Sequence, residues 1–121
     1  MSFTEGKSSL YIHKEREITV IEFLELRMLD DTNINQMAAE MTALVDKTTD
    51  LRFIIDFSNI KYMSSKVLGK IIALHKQISK RKGTLKLCGL NKDMLGVFKI
   101  MKLDKVLEIH KNFKRAINSF V

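Results

Sequence analysis

The chain has the length and composition of one folded domain. Its 121 residues are 45% hydrophobic, with no Pro and only five Gly, which excludes a disordered or fibrous protein. Charged residues interrupt the apolar runs before they reach membrane-spanning length, and the one cysteine excludes an internal disulfide. Residues 1–9 show no signal-peptide pattern. We therefore expect a single domain over residues 1–121, located in the cytoplasm and not in a membrane.

The first part of the chain predicts two strands and a helix. Ser9–His13 and Ile18–Leu24 have the apolar content of strands, and the charged segment Lys14–Glu17 separates them as a turn. An amphipathic helix follows, with Asn33 as its predicted cap and Gln36 completing a capping box. Its apolar positions at helical spacing are Ile34, Met37, Ala38, Met41, Leu44 and Val45.

The central segment predicts a buried strand followed by a second helix. Leu51–Phe57 is a nearly continuous apolar run that is broken near its end by Asp56, and it predicts a central strand. A short polar turn then leads to Ser64 and Ser65, and an amphipathic helix begins after them. Gly83 is predicted to end that helix. The apolar stripe of the helix is Val67, Leu68, Ile71, Ile72, Leu74 and Ile78.

Four further elements complete the prediction. Leu85 and Leu87 alternate in a fourth strand, and Asn91 opens a third helix. Val106–Ile109 is predicted as a short strand, and Asn112 as the cap of a terminal helix. The order ββαβαβαβα predicts an α/β fold with a mixed sheet and amphipathic helices. The apolar positions of the last two helices are Met94, Leu95, Phe98 and Met101, then Phe113, Ala116, Ile117 and Phe120.

The two serines before the second helix have two possible roles. A hydroxyl at a helix start lies beside unpaired N–H groups and the positive end of the helix dipole, where a phosphate is tolerated. Alternatively, Ser64 is only the N-cap, bonded to the N–H of Val67, and Ser65 is an exposed residue of the first turn. The residues by themselves leave both roles open.

The same segment resembles the STAS domain of bacterial anti-anti-sigma factors, also called anti-sigma factor antagonists. Asp56-Phe57-Ser58 matches the strand end of the family pattern, Tyr62-Met63 its apolar pair, and Leu68-Gly69 its closing Leu-Gly. Ser65 falls on the serine that the family phosphorylates. The resemblance continues through Gly83–Cys88, Val97–Leu103 and Phe113–Ile117.

Three positions depart from the family pattern. Ser64 replaces the Asp before the phosphorylated serine, Lys66 replaces the following Ser or Thr, and Val67 replaces the first Gly. These departures flank Ser65, so the resemblance supports the fold more strongly than it supports phosphorylation.

The resemblance implies a binding module without catalysis. The unmodified protein would bind an anti-sigma factor, typically a GHKL-type serine kinase, which would then release its sigma factor. Phosphorylation of Ser65, or alternatively of Ser64, would switch this binding off. No cofactor and no metal are expected. The implied partner-binding residues are Asp56, Ser58, Asn59, Lys61, Met63, Ser64, Ser65, Lys66 and Gly69.

The uneven charge supports an alternative function. Residues 1–56 carry a net −5 and residues 57–121 a net +12, and residues 57–91 hold eight basic and no acidic residues. Such a field attracts acidic proteins, nucleic acids or anionic lipids, although a solvated basic face explains it as well. The alternative is a STAS scaffold or ligand-sensing module that is never phosphorylated and binds an acidic protein. Nucleic acid is a minor hypothesis because lysine predominates and no aromatic residues interleave.

Catalytic patterns are lacking. His13, His75 and His110 have no carboxylate or thiolate partner at metal-ligand spacing. His75 lies ten residues after Ser65, about 15 Å along the helix, so it cannot activate that hydroxyl. We therefore expect no enzyme activity, and we expect His75 at the edge of the core.

Two further residues carry expectations. Cys88 lies in an alternating apolar strand, which predicts a buried, inert thiol. Gly69 lies inside the second helix, where Gly costs about 1 kcal/mol relative to Ala. That cost suggests that a partner or a neighbouring strand approaches closely at this position.

Overall fold

A mixed β-sheet organises residues 10–120, which the computed structural model describes. The strands are β1 (Leu10–Glu15), β2 (Ile18–Phe23), β3 (Arg27–Met28), β4 (Arg52–Asp56), β5 (Tyr62–Met63), β6 (Thr84–Cys88) and β7 (Glu108–His110). The helices are α1 (Asp31–Lys47), α2 (Ser65–Lys80), α3 (Lys92–Ile100) and α4 (Phe113–Asn118), with a 3₁₀ turn at Leu103–Lys105.

The sheet has the strand order β1-β2-β4-β6-β7. Only the β1–β2 hairpin is antiparallel, and the other neighbours pair in parallel through helical crossovers. The predicted α/β fold with a mixed sheet is confirmed. The structure adds a separate parallel ribbon of β3 and β5, which the sequence did not predict because two-residue strands are too short to show alternation.

The connection between β1 and β2 is shorter than predicted. Only Arg16 and Glu17 link the two strands, and both have positive φ angles, 55° and 66°. Two left-handed residues form the hairpin turn that matches the twist of paired strands. Lys14 and Glu15 therefore still pair with β2, and the four-residue turn was wrong. The predicted strand start at Ser9 lies outside the described residues.

The core lies mainly between the sheet and α1, α2 and α3. Phe53 and Ile55 of β4 are fully buried on this face, whereas Ile54 points to the other face and packs with α4. Because both faces of β4 are covered, this strand is buried from Phe53 to Asp56, as the apolar run predicted, and only Arg52 at its start is partly exposed.

The predicted N-caps of α3 and α4 are confirmed, and that of α1 is not. Asn91 and Asn112 cap α3 and α4 through their side chains, as expected. The predicted cap of α1 at Asn33 was wrong. The cap is Asp30, three residues earlier, and its carboxylate accepts the N–H of Thr32 at 2.7 Å.

The segment after α3 also differs from the prediction. The N–H groups of Val106 and Leu107 donate to the carbonyl of Leu103 at 3.0 and 2.8 Å, which prolongs the 3₁₀ turn. The last strand therefore begins at Glu108, and not at Val106. Met101, predicted within the apolar stripe of α3, lies at the C-cap and is half exposed.

Candidate docking site

A short parallel ribbon fixes the start of α2. Met28 of β3 pairs with Met63 of β5, and the next N–H, that of Ser64, donates to the carbonyl of Met28 at 2.9 Å. The ribbon thereby holds the first turn of α2 close to the chain that leads into α1. The position of the two serines is thus set by a contact with a distant part of the sequence.

The two serines have different environments. Ser64 is the half-buried N-cap of α2, and its hydroxyl accepts the N–H of Lys66 at 3.2 Å. The predicted bond to Val67 involves the backbone of Ser64 instead, whose carbonyl accepts that N–H at 3.0 Å. Ser65 is the first helical residue and is exposed. Within residues 10–120 its hydroxyl has no hydrogen-bond partner, so it is available for a modifying enzyme.

Lys66, which follows Ser65 in the sequence, forms a loose ion pair. The Lys66 ammonium lies 3.5 Å from the Asp31 carboxylate, which belongs to the first turn of α1. The Asp31 side chain is 76% exposed, and such surface pairs contribute about 0–1 kcal/mol. Lys66 is therefore partly neutralised but free to exchange partners.

The turn before β5 is held from beneath by Asp56. Its carboxylate accepts the N–H of Ser58 at 2.9 Å, which confirms the predicted strand-end role. Asp56 is only 9% exposed. Asp56 thus supports the turn, whereas Ser58, Asn59 and Lys61 are exposed. Contact between Asp56 and a partner stays a prediction.

The end of β6 packs against the same turn. Gly89 has a φ of +76°, and a Cβ there would lie 2.7 Å from the Asp56 carboxylate and 2.8 Å from the Ser58 nitrogen. Cys88, just before it, is fully buried as predicted. Burial first, and then the neighbouring Asp56 carboxylate, raise the pKa of the Cys88 thiol to about 12, so it stays protonated and inert at neutral pH.

A small apolar cavity opens beside the two serines. It has a volume of about 150 Å³, and its walls come from Met63, Leu68 and the α3 residues Met94, Val97 and Phe98, with Ser64 and Ser65 at its rim. A protein side chain of moderate size fits a cavity of this kind, and Ser65 would lie at the edge of that contact. We call Ser65, Lys66 and this cavity the α2-start surface.

A second depression extends this surface over the ribbon. It shares Met63, Met94 and Val97 with the first cavity and adds Tyr62 and Leu29. Tyr62 is 56% exposed, and the guanidinium of Arg27 lies 5.4 Å from the centre of its ring. Such exposed aromatic side chains are common anchors in protein interfaces.

The structure thus brings only part of the predicted site together. Met63, Ser64 and Ser65 border one cavity, and Lys66 follows directly. Gly69 is exposed on α2, and nothing among the described residues lies within 4 Å of the position of a Cβ there. The expected approach of a neighbouring strand at Gly69 was therefore wrong. Approach of a partner stays a prediction.

The prediction missed the contributions of Tyr62, Leu29, Met94 and Val97. Tyr62 had been recognised only as half of an apolar pair, and Met94 only as an apolar position of the third helix. No local pattern signals that α3 borders the start of α2, because the two segments meet through the tertiary fold. The side-chain amide of Asn91, the cap of α3, donates to the Lys61 carbonyl at 3.2 Å and so ties α3 to the turn before β5.

The histidines of the described residues lie apart from one another. His13 and His110 each bond one glutamate, and His75 lies half-buried on α2, as predicted, with Nδ1 buried and unbonded in the described part of the chain. Within residues 10–120 no group of three His, Cys, Asp or Glu side chains is placed to hold a metal ion. No helix in that range is long and apolar enough to cross a membrane.

Comparisons with known proteins converge on one family. The family model described as the STAS domain matches residues 16–116. BtrV of Bordetella bronchiseptica, a protein assigned as an anti-sigma factor antagonist, is 28% identical over 93 residues, which cover 77% of this chain and 79% of BtrV.

Solved structures share the fold. An anti-sigma-factor antagonist (STAS) domain protein from Planctomyces limnophilus matches with a TM-score of 0.82 at 20% identity, over 91% of this chain and 96% of its own. The Bacillus cell fate determinant SpoIIAA in its phosphorylated form matches with a TM-score of 0.70 at 17% identity, over 93% and 99%. At these identities the likeness establishes the fold.

Proposed function

The chain belongs to the STAS domain family, and from that premise we propose that it is an anti-sigma factor antagonist that binds its partner through the α2-start surface. The similarity to BtrV, which extends over most of both chains, supports this role. The observation that carries the proposal is the exposed, unbonded hydroxyl of Ser65 at the rim of an apolar cavity. The role requires no catalysis by this chain, and we place it in the cytoplasm.

Binding would combine an apolar anchor with a polar rim. An apolar side chain of the partner would enter the cavity between Met63 and Val97. Polar groups of the partner around that side chain would contact Lys61 and Lys66. Interfaces of this composition bury apolar side chains at their centre and leave charges at the edge. Ser65 would then lie at a contact from which water is excluded.

Phosphorylation of Ser65 would switch this contact off. The proposed kinase is the anti-sigma factor itself, a serine kinase of the GHKL type. A phosphate adds about −1.5 to −2 charges at neutral pH, and the N-terminus of α2 accommodates that charge without unfolding. At a desolvated contact the added bulk and like-charge repulsion can cost several kcal/mol of binding free energy. Because Lys66 already pairs with Asp31, it would offset only part of this charge.

A phosphotransfer assay tests the switch. The full chain is incubated with a candidate serine-kinase anti-sigma factor and ATP, and the site is mapped by fragmentation mass spectrometry. We expect Ser65→Ala to abolish labelling, whereas Ser64→Ala and the matched control Ser79→Ala, another exposed serine of α2, keep it. Equal labelling of Ser65→Ala would refute Ser65 as the switch, and labelling lost only in Ser64→Ala would move the switch to Ser64.

The alternative, a STAS module that is never phosphorylated and binds an acidic partner, predicts a different mutational pattern. The departures at Ser64, Lys66 and Val67 support it. Under this alternative, Lys66→Glu, which reverses a charge, abolishes association, and Ser65→Glu weakens it less. Under the phosphorylation switch, Ser65→Glu weakens association at least as much as Lys66→Glu. Binding of both variants to the partner of the unsubstituted protein, measured by calorimetry, separates the two.

A further inference from the structure

A larger open groove lies farther along α2. It has a volume of about 840 Å³ and runs between the second half of the helix and Val106, which follows the 3₁₀ turn. Its walls include Ile72, His75, Lys76 and Lys80. We call this feature the basic groove. It shares no lining residue with the cavity beside Ser65.

The basic groove combines apolar surface with uncompensated positive charge. Val106 is 57% exposed, and Ile72 is half-buried beside it. Lys76 and Lys80 are exposed, and neither has an ion-pair partner in the part of the chain that the structure describes. No acidic residue belongs to the groove lining. A ligand that supplies carboxylates and an aliphatic side chain would complement both properties.

We infer that the basic groove binds an acidic amphipathic segment of a protein partner. Its apolar side chains would pack against Ile72 and Val106, while its carboxylates would meet Lys76 and Lys80. Charge complementarity of this kind favours the encounter and fixes the orientation of the bound segment. A protein segment fits better than nucleic acid, because no Phe, Tyr, Trp or Arg lines the groove and its one imidazole, that of His75, is half-buried, which leaves little stacking surface for bases.

The basic groove and the α2-start surface lie on one exposed face of α2. Ser65, Gly69, Ile72 and Lys76 follow one another at spacings of four, three and four residues, which places them along one side of a helix. Ser65 and Lys76 are eleven residues apart, or about 16 Å along the axis. The open position at Gly69 lies between them. Because the two sites share no lining residue, binding at the basic groove needs no phosphate on Ser65 and does not depend on the function proposed above.

A peptide titration tests the inference on the full chain. The probe is a synthetic helical peptide of about four turns with Leu on one face and Glu on the other, and the control peptide has the same composition in scrambled order. Amide NMR spectra of the protein are recorded as each peptide is added. We expect shift changes confined to residues 72–80 and 103–107, and clearly weaker binding of the scrambled peptide.

Substitutions inside and outside the basic groove distinguish a specific peptide site from general electrostatic attraction to a basic protein. The double variant Lys76→Glu/Lys80→Glu is expected to weaken the patterned peptide roughly tenfold, and Val106→Ser severalfold. The matched control Lys111→Glu/Lys114→Glu makes the same change of net charge at two exposed lysines near α4 and should have little effect. Ser65→Glu should also leave peptide binding unchanged, whatever its effect on the anti-sigma factor.

Several outcomes would overturn the inference. They are no binding of the patterned peptide, equal binding of the scrambled one, shifts spread over all basic surfaces, or an equal loss in the control double variant. Short duplex DNA and anionic lipid vesicles are tested in parallel at the same salt concentration. If either perturbs residues 72–80 and 103–107 as strongly as the peptide does, the groove selects for negative charge and not for a protein segment.

Discussion

The two ends of α2 are built in different ways. At its last turn, the guanidinium of Arg81 donates to the carbonyls of Val45 and Thr48 at 2.6 and 3.2 Å, which ties the helix to the end of α1. At its first turn, the Ser64 side chain caps the helix by accepting the N–H of Lys66, and Ser65 is exposed. One end is thus used for packing within the domain, and the other is available for an external partner.

This difference separates stability from binding along a single helix. Substitutions near the last turn should lower the free energy of unfolding, whereas substitutions near Ser65 should leave the fold intact and act on recognition. Gly83 and Gly69 give the clearest comparison. A Cβ would clash with its neighbours at Gly83, whereas at Gly69 it would meet no described atom within 4 Å.

The largest effect is expected for Gly83→Ala. A Cβ at this position would lie 2.5 Å from the Leu51 Cβ and 2.6 Å from the Leu51 carbonyl oxygen, so strand β4 or the helix end must move. We expect a loss of about 2–3 kcal/mol in the free energy of unfolding, measured by urea denaturation.

Gly96→Ala in α3 is the matched control for this substitution. The position of its Cβ has no described neighbour within 4 Å, so Ala should be neutral or stabilising there. Equal denaturation midpoints for Gly83→Ala and Gly96→Ala would show that the end of α2 is not packed as tightly as the structure indicates.

The two serines should differ in their contribution to stability. Ser64→Ala removes the side-chain cap of α2, which we expect to cost about 1 kcal/mol of unfolding free energy. Ser65→Ala removes an exposed hydroxyl without a described partner and should change it by less than about 0.5 kcal/mol. Thermal and urea unfolding of both variants measure this difference, and the reverse ranking would assign the capping role to Ser65.

A smaller effect of opposite sign is expected for Gly69→Ala. Because the position is helical and open, Ala should raise the free energy of unfolding by about 0.5–1 kcal/mol. If a partner approaches the helix closely at this position, the same methyl group should weaken binding to the anti-sigma factor. A variant that is more stable and binds with unchanged affinity would exclude close approach at Gly69.

The sequence predicted the elements whose residues carry local signals. The run Leu51–Phe57 identified the central strand, and Asn91 and Asn112 marked two helix starts because their side chains accept nearby backbone N–H groups. The cap of α1 was misplaced because Asp30 and Asn33 both suit a helix start. Only the fold decides which of the two begins the helix.

The candidate site was less predictable, since it depends on contacts between distant segments. Ser64 and Ser65 were found from the local pattern, but the cavity beside them needs Val97 from α3, over thirty residues away in the sequence. The ribbon that pairs Met28 with Met63 is too short to leave a periodic signal. Asp56 is only 9% exposed beneath the turn, and the sequence shows its carboxylate but not that burial.

The smallest expected effect on stability concerns Asp31, the partner of Lys66. Asp31→Asn removes an exposed ion pair and should change the free energy of unfolding by less than about 0.5 kcal/mol. In protein carrying phosphoserine at position 65, however, it removes a nearby negative charge and frees Lys66 to meet the phosphate. Both changes favour the dianion, so the second pKa of the phosphate, ordinarily about 6, should fall.

A phosphorus NMR titration of the phosphorylated chain measures this shift. Asp104→Asn serves as the control, because it removes the same charge from the exposed 3₁₀ turn after α3. A lower phosphate pKa in Asp31→Asn alone would mean that the ion pair seen in the unmodified protein limits how far Lys66 can offset the switch. The phosphate would then stay dianionic to a lower pH in that variant. An equal pKa in both variants would mean that Asp31 acts on the phosphate neither directly nor through Lys66.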